Sequence, residues 1–301
     1  MKRTAIVTGG TAKDVPAMAC LVMNIKDTNP NLANEMVIFH DGISVKDQKL
    51  INSIFPTRFI FYRSPFEKNN NFENTITQYF TKMLFCKYEC LQLLDEYETV
   101  IWTDYDIVIL RDISVLISDL NKDCAFITDI KLTVKEMFNQ FIWQHDVSNI
   151  NMDKKGICTP LFILKDTIYN YDALYKQCIE LTEKFADSLY LAEQCIFNIV
   201  LQTNKISYVN IPYLPYCTHP VHDVPNKQTN ILHAYGQPKF WNGLYNNVWE
   251  ENYNKWIQMG GSHYPYFKRK KFSYKVLNYC KKILLFILPH GFVWLIQRKR
   301  K

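Results

Sequence analysis

The chain has 301 residues, 48% of them hydrophobic and 21% charged, with 9 Gly and 12 Pro, which suits one large α/β domain or two small ones and excludes collagen-like, repeat and disordered chains. Its formal charge of +6 is uneven: residues 268–301 carry 11 Lys and Arg and no acid, leaving 24 basic against 29 acidic groups, or −5, before them. A mildly acidic body with a basic tail argues against a general nucleic-acid surface and for one localised anionic contact.

In chain order, Ala5–Thr8 is predicted as a first strand closed by Gly9-Gly10. The three-residue apolar run Ala5-Ile6-Val7 is too short for a signal peptide, which needs about 7–15, so export by the usual route is not expected. A helix from Pro16 to Lys26 follows, with Met18, Leu21, Val22 and Ile25 on one face. Val37–His40 reads as a second strand; Asp41-Gly42 turns the chain, and Ser44 with Asp47 forms a capping-box start for a helix to Ile54. Phe59–Tyr62 is a third strand, and Lys68–Asn74 a polar loop. A long helix is expected from about Thr77 to Glu96, leading into the apolar strand Val100-Ile101-Trp102. Further strands are expected at Ala125–Thr128, Leu161–Leu164 and Ser207–Ile211, with helices near 167–186 and 192–202. Strands alternating with helices indicate an α/β fold with a mainly parallel sheet. Nine cysteines, an odd number without a C-x-x-C pair, read as buried free thiols of a reducing compartment, and Cys86 and Cys90 find no partner pair at zinc-finger spacing.

The strongest chemical signal is Asp104-Tyr105-Asp106, at the C-terminal end of a buried strand, where open α/β sheets bind ligands. Strand alternation would send both carboxylates to one side, where they repel unless a positive group lies between them. A divalent cation held by oxygen ligands meets that need; a solvated turn is the competing reading, and the apolar residues on both sides weigh against it. A second constellation is His233-x-x-Gly236-x-x-Lys239 with Trp241 behind it. The imidazole can complete an O,O,N metal site, Gly236 permits close backbone approach, and Lys239 can meet a diphosphate as a point charge.

Together these segments, over roughly residues 4–245, resemble glycosyltransferase family 8, the retaining GT-A enzymes. The resemblance implies a Rossmann-like GT-A domain with a mostly parallel sheet; the chain's own organisation places that domain at residues 1–250, followed by a basic amphipathic segment over 251–301. It implies Mn²⁺ or Mg²⁺ on Asp104, Asp106 and His233, and a nucleotide-sugar against Thr8, Lys82, Asp104, Tyr105, Gly236 and Lys239. Lys82 is similar to the family's basic residue that touches the donor nucleotide. Glu193-Gln194, at a helix start, is similar to the family's D-Q segment, whose acid contacts the sugar and whose Gln faces the anomeric centre. Asp129, just past a strand, is similarly placed to an acid near the donor sugar; Gln194, Glu193 and Asp129 are thus the catalytic candidates. The chain departs from the family pattern at Thr8-Gly9-Gly10-Thr11 (where an acid often holds uracil), at Thr159-Pro160-Leu161 (for Asn-Ala-Gly), at Glu193 (for Asp) and at Phe240 (for Pro).

The expected activity is retaining transfer of a hexose from a nucleotide-sugar, UDP-galactose or UDP-glucose, to a bacterial surface glycan or glycolipid such as lipopolysaccharide. Three alternatives compete with it: a D-x-D phosphatase, which would carry its motif on the first strand; a nucleotidyltransferase, of which Gly9-Gly10-Thr11-Ala12-Lys13 is a faint echo; and a non-catalytic membrane-peripheral glycan-binding module. In the tail, Ile283–Ile296 is a mostly apolar run too short to span a bilayer, which takes about 20 residues, broken by Pro289 and Gly291 and flanked by Lys and Arg. It suits an anionic membrane surface, so a peripheral position on the cytoplasmic face of the inner membrane is expected, with no nucleic-acid partner.

Overall fold

The computed structural model describes residues 3–69, 72 and 81–264. Three apolar strands joined by two helices open the fold: β1 (Thr4–Gly10), α1 (Val15–Thr28), β2 (Glu35–His40), α2 (Val45–Ile54) and β3 (Thr57–Phe61). Only half of the capping box expected at α2 forms: Ser44 Oγ accepts from the Asp47 amide at 3.1 Å, while the Asp47 carboxylate accepts from the Ser44 hydroxyl at 2.8 Å rather than from its amide. After a helical stretch containing the single turn α3 (Glu89–Gln92) come β4 (Thr99–Thr103), β5 (Ile107–Ile109), α4 (Val115–Ser118) and β6 (Cys124–Thr128). A long excursion returns as β7 (Cys158–Lys165), followed by α5 (Tyr171–Lys184), α6 (Glu193–Thr203), β8 (Val209–Pro212), α7 (Tyr213–Tyr216), β9 (Ile231–His233) and α8 (Asn247–Gln258).

Seven strands form one sheet in the order β3-β2-β1-β4-β7-β6-β8, and β5 with β9 forms a small second sheet. β7 is antiparallel to both neighbours and the other four pairings are parallel, so the sheet is mostly parallel, as expected. Side chains alternate between two cores: Ala5, Val7, Val100 and Trp102 face one, Ile6, Ile101, Met36 and Ile38 the other. α1 is buried along its whole length from Val15 to Ile25 because α8 packs over it from outside. The expected boundary at residue 250 falls inside α8, whose Trp249, Tyr253 and Trp256 belong to the same core as α1, so the chain to 264 is part of the body. The basic segment 268–301 lies outside the described residues.

The long helix expected over 77–96 is corrected where it is described. Residues 82–88 and 93–95 wind as 3₁₀ turns around the one α-turn, and 77–80 lie outside the described residues. The reason is the spacing of the apolar groups: Phe85, Tyr88, Leu91 and Leu94 recur every three residues and are all buried. The segment runs so close to β1 that a Cβ on Gly9 would meet Cys86 Sγ at 2.4 Å. The eight cysteines among the described residues are free thiols; seven are buried and Cys158 is half-buried.

Candidate active site

Asp104-Tyr105-Asp106 leaves the end of β4 as a turn, so the carboxylates converge by the chain's reversal rather than by strand alternation. Beyond the turn β5 pairs with β9 in antiparallel register, placing Ile107 opposite His233. The Ala234 amide donates to the Asp106 carbonyl at 2.9 Å. Buried Asn24 on α1 holds the other end of β5, accepting from the Ile109 amide at 2.7 Å and donating to its carbonyl at 2.9 Å. The β5–β9 ladder and a side-chain clamp thus bring together Asp106 and His233, 127 positions apart in sequence.

His233 Nε2 lies 3.3 Å from Asp106 Oδ1 and 3.8 Å from Asp104 Oδ2. One ligand atom from each of the three residues falls within 4.8 Å of the others. Asp106 and His233 are buried while Asp104 is half-buried, leaving one side open to an incoming ligand. Two hard oxygens and an imidazole at this spacing fit a divalent cation. Lys239 is ion-paired with Asp106. Burial acts to raise the Asp106 pKa, but His233 and then Lys239 outweigh it and hold the carboxyl well below the usual range. Gly236, between His233 and Lys239, sits at φ +66 with open space where a side chain would be, so it supplies both the turn and room for close approach. Tyr105 stacks on Trp241, ring centroids 5.9 Å apart, and its ring fills the space beside Gly10.

Asp104 is held from behind. Its Oδ1 accepts from Trp102 Nε1 at 2.8 Å and from Lys87 Nζ at 3.0 Å. Lys87 Nζ also reaches Glu193 Oε1 at 2.7 Å and the Thr159 carbonyl at 3.2 Å. Burial alone would lower the Lys87 pKa; Asp104 and Glu193 more than offset it and hold the ammonium above its usual value. Glu193 opens α6, buried, and also accepts from Thr159 Oγ1 at 2.9 Å, so the Thr159-Pro160-Leu161 departure supplies a hydroxyl to this network. Lys87 escaped the sequence reading because on a continuous α-helix it looks like one more polar-face lysine. Its signal was the three-residue apolar rhythm around it.

The other candidates stand differently. Lys82 is committed to the carbonyls of Phe66, Glu67 and Asn69 at 2.8, 3.0 and 3.1 Å, so of the two lysines on the 82–88 segment the one that touches the acidic cluster is Lys87. Gln194 directs its amide to Met137 Sδ at 3.7 Å, under the excursion between β6 and β7. Asp129 ends β6 exposed, at φ 61, and makes no polar contact with the cluster among the described residues. Thr8 is fully buried at the end of β1, its hydroxyl without a hydrogen-bond partner. One further residue was missed: Cys217, whose Sγ lies 3.3 Å from His233 Nδ1.

The sequence model described as glycosyl transferase family 8 matches residues 6–244. No curated protein matches the sequence. The fold is similar to that of the bifunctional glycosyltransferase WbbM, at 13% identity and TM-score 0.63, covering 86% of this chain and 51% of that one. It is similar also to the galactosyltransferase LgtC, solved with donor and acceptor sugar analogues, at 12% identity and TM-score 0.60, covering 90% and 99%. GlyE of Streptococcus pneumoniae matches at 17% identity and TM-score 0.54, covering 86% and 64%. The chain therefore spans about half the length of WbbM and nearly all of LgtC.

Proposed function

The chain belongs to glycosyltransferase family 8 and is a hexosyltransferase, and from that premise we propose that it transfers a hexose, with retention of configuration, from UDP-galactose or UDP-glucose to a bacterial surface glycan such as lipopolysaccharide. The observation that carries the reading is the Asp104–Asp106–His233 cluster within 4.8 Å, with Lys239 against it. Asp104, Asp106 and His233 would hold Mn²⁺ or Mg²⁺, which neutralises charge on a leaving diphosphate. Lys239 supplies a second positive charge at the same place, on a turn that Gly236 keeps open. Lys87 orients Asp104 and Glu193 at once, so the acid on the sugar side is fixed relative to the metal side. Gln194 follows Glu193 on α6 and is our candidate for the residue facing the anomeric carbon. Since no side chain in the cluster is an obvious covalent nucleophile, we assign same-face attack with the leaving phosphate as base.

The basic segment 268–301 would hold the protein on anionic lipid at the cytoplasmic face of the inner membrane, next to a glycolipid acceptor. Among the described residues no helix is long and apolar enough to cross a membrane. The test is a screen of purified protein against nucleotide-sugars, following diphosphate release with Mn²⁺, with Mg²⁺ and with chelator. We expect metal-dependent release from a UDP-hexose and an α anomeric coupling in the product. Full turnover in chelator would remove the metal reading, and a β coupling would remove the retaining one.

A further inference from the structure

The three ligand atoms of the cluster do not stand alone; each is the inner atom of a group whose outer atom is held by something else. For Asp104 the holders are Trp102 and Lys87, and for Asp106 it is Lys239. For His233 the outer atom is Nδ1, and the atom facing it is Cys217 Sγ at 3.3 Å. Both residues are buried, Cys217 at 2% exposure and His233 at 7%.

The pairing is fixed by backbone rather than by chance side-chain contact. The chain at 218 runs parallel beside β9: the His233 amide donates to the Thr218 carbonyl at 3.0 Å and the Thr218 amide to the Ile231 carbonyl at 3.1 Å. The Cys217 amide closes back on the Tyr213 carbonyl at 2.6 Å. Sulfur and imidazole are therefore held one strand apart.

Resting on the metal reading above, we propose that Cys217 is a positioning residue that sets the tautomer and orientation of His233 for metal binding. A cation takes the lone pair of Nε2, so the ring proton must then sit on Nδ1, where it needs an acceptor. Without a cation, Nε2 faces the Asp106 carboxylate at 3.3 Å, which can only accept, and this favours the proton on Nε2. Nδ1 is then an acceptor and needs a donor. A thiol serves both states: its S–H donates to Nδ1 in one, and its lone pair accepts from Nδ1–H in the other. The ring stays in place while its proton changes nitrogen. A carbonyl or carboxylate at position 217 would serve the loaded state only.

The experiment titrates Mn²⁺ into full-length wild type, Cys217→Ser and Cys217→Ala, reading free ion by electron paramagnetic resonance, with circular dichroism melts as the check on folding. Loss of an outer partner of a metal-bound histidine typically weakens metal affinity 10–100-fold. We expect Cys217→Ala to lose about tenfold, and Cys217→Ser, which keeps a donor and an acceptor, to stay within about twofold of wild type. In Mg²⁺-loaded protein a slowly exchanging His233 Nδ1–H resonance is expected for wild type and Ser. Equal affinity in wild type and Ala, equal loss in folded Ser and Ala, or absence of that resonance from loaded wild type would each overturn the assignment. The resonance decides it even where Ala does not fold. Wild type that binds no Mn²⁺ would instead sink the metal reading itself, and this inference with it.

Discussion

Asp106 shows how a residue's neighbours reverse an argument made from its charge alone. Two adjacent acids suggest repulsion, and hence a stabilising Asp106→Asn exchange. With His233 and Lys239 against it, Asp106 is instead a held anion. Its folded pKa lies below the unfolded value, so its contribution is fully present above about pH 4 and is lost as pH falls toward the folded value. Asp106→Asn should lower transfer by at least about 100-fold and lower stability at pH 7 by about 1–3 kcal/mol, after discounting for the partial exposure of Lys239, which reads out as a lower thermal midpoint. The stability gap between the two proteins should narrow below about pH 4. Melts against pH decide this, and a variant that melts higher than wild type at pH 7 would restore the repulsion argument. Lys87 makes the complementary case. Its raised pKa means its contribution is present below about pH 10 and lost as pH rises through the folded value. Lys87→Met strands two acids on a buried network and should cost about 3 kcal/mol with a large loss of transfer. Unchanged denaturant midpoints would show the network to be energetically neutral.

At the level of elements, the site depends on how tightly the 82–88 segment is pressed against β1. Gly9 is the contact: an alanine methyl there meets Cys86 Sγ at 2.4 Å and Phe39 Cβ at 3.2 Å, next to Lys87. Gly236 is the opposite case, with nothing within 4 Å of a Cβ but a backbone at φ +66. Gly9→Ala should therefore destabilise by about 1–3 kcal/mol through overpacking and shift Lys87. Gly236→Ala should cost about 1–2 kcal/mol of backbone strain, confined to the loop that carries Lys239. We expect Gly9→Ala to show in the melting midpoint and Gly236→Ala mainly in transfer rate. The reverse ranking would mean that the 82–88 segment gives way more easily than its packing implies.

For the whole molecule, the charge division matters more than the net value. A body of −5 would be repelled by anionic lipid, while the 11 positive charges of 268–301 would be attracted by about 1 kcal/mol per group near the surface. Deleting 268–301 should release the protein from anionic vesicles while leaving turnover on a water-soluble acceptor intact, and raising salt should weaken attachment of the full chain. A truncated protein that still sediments with the vesicles would rule out the tail as anchor.

Sequence alone determined what depends on neighbours close in the chain. The α/β class, the strands at β1, β2, β4 and β6, the Ser44 cap and the acidic pair ending a buried strand all follow from local periodicity and turn chemistry. The order of the two signatures carried the family. The winding of 82–95, the partner of Asp104 and the atom behind His233 did not follow, because long-range packing sets them. The 82–95 segment takes 3₁₀ turns that bury Phe85, Tyr88, Leu91 and Leu94 on one side, and that winding turns Lys87 inward where the family resemblance pointed to Lys82. Cys217 is 16 residues from His233 and reaches it only because Thr218 hydrogen-bonds along β9. Sequence could name the ligand atoms; only the packing of β1, β5 and β9 against their neighbours decided which groups hold them, since a buried charge or imidazole is oriented by whatever the fold places behind it.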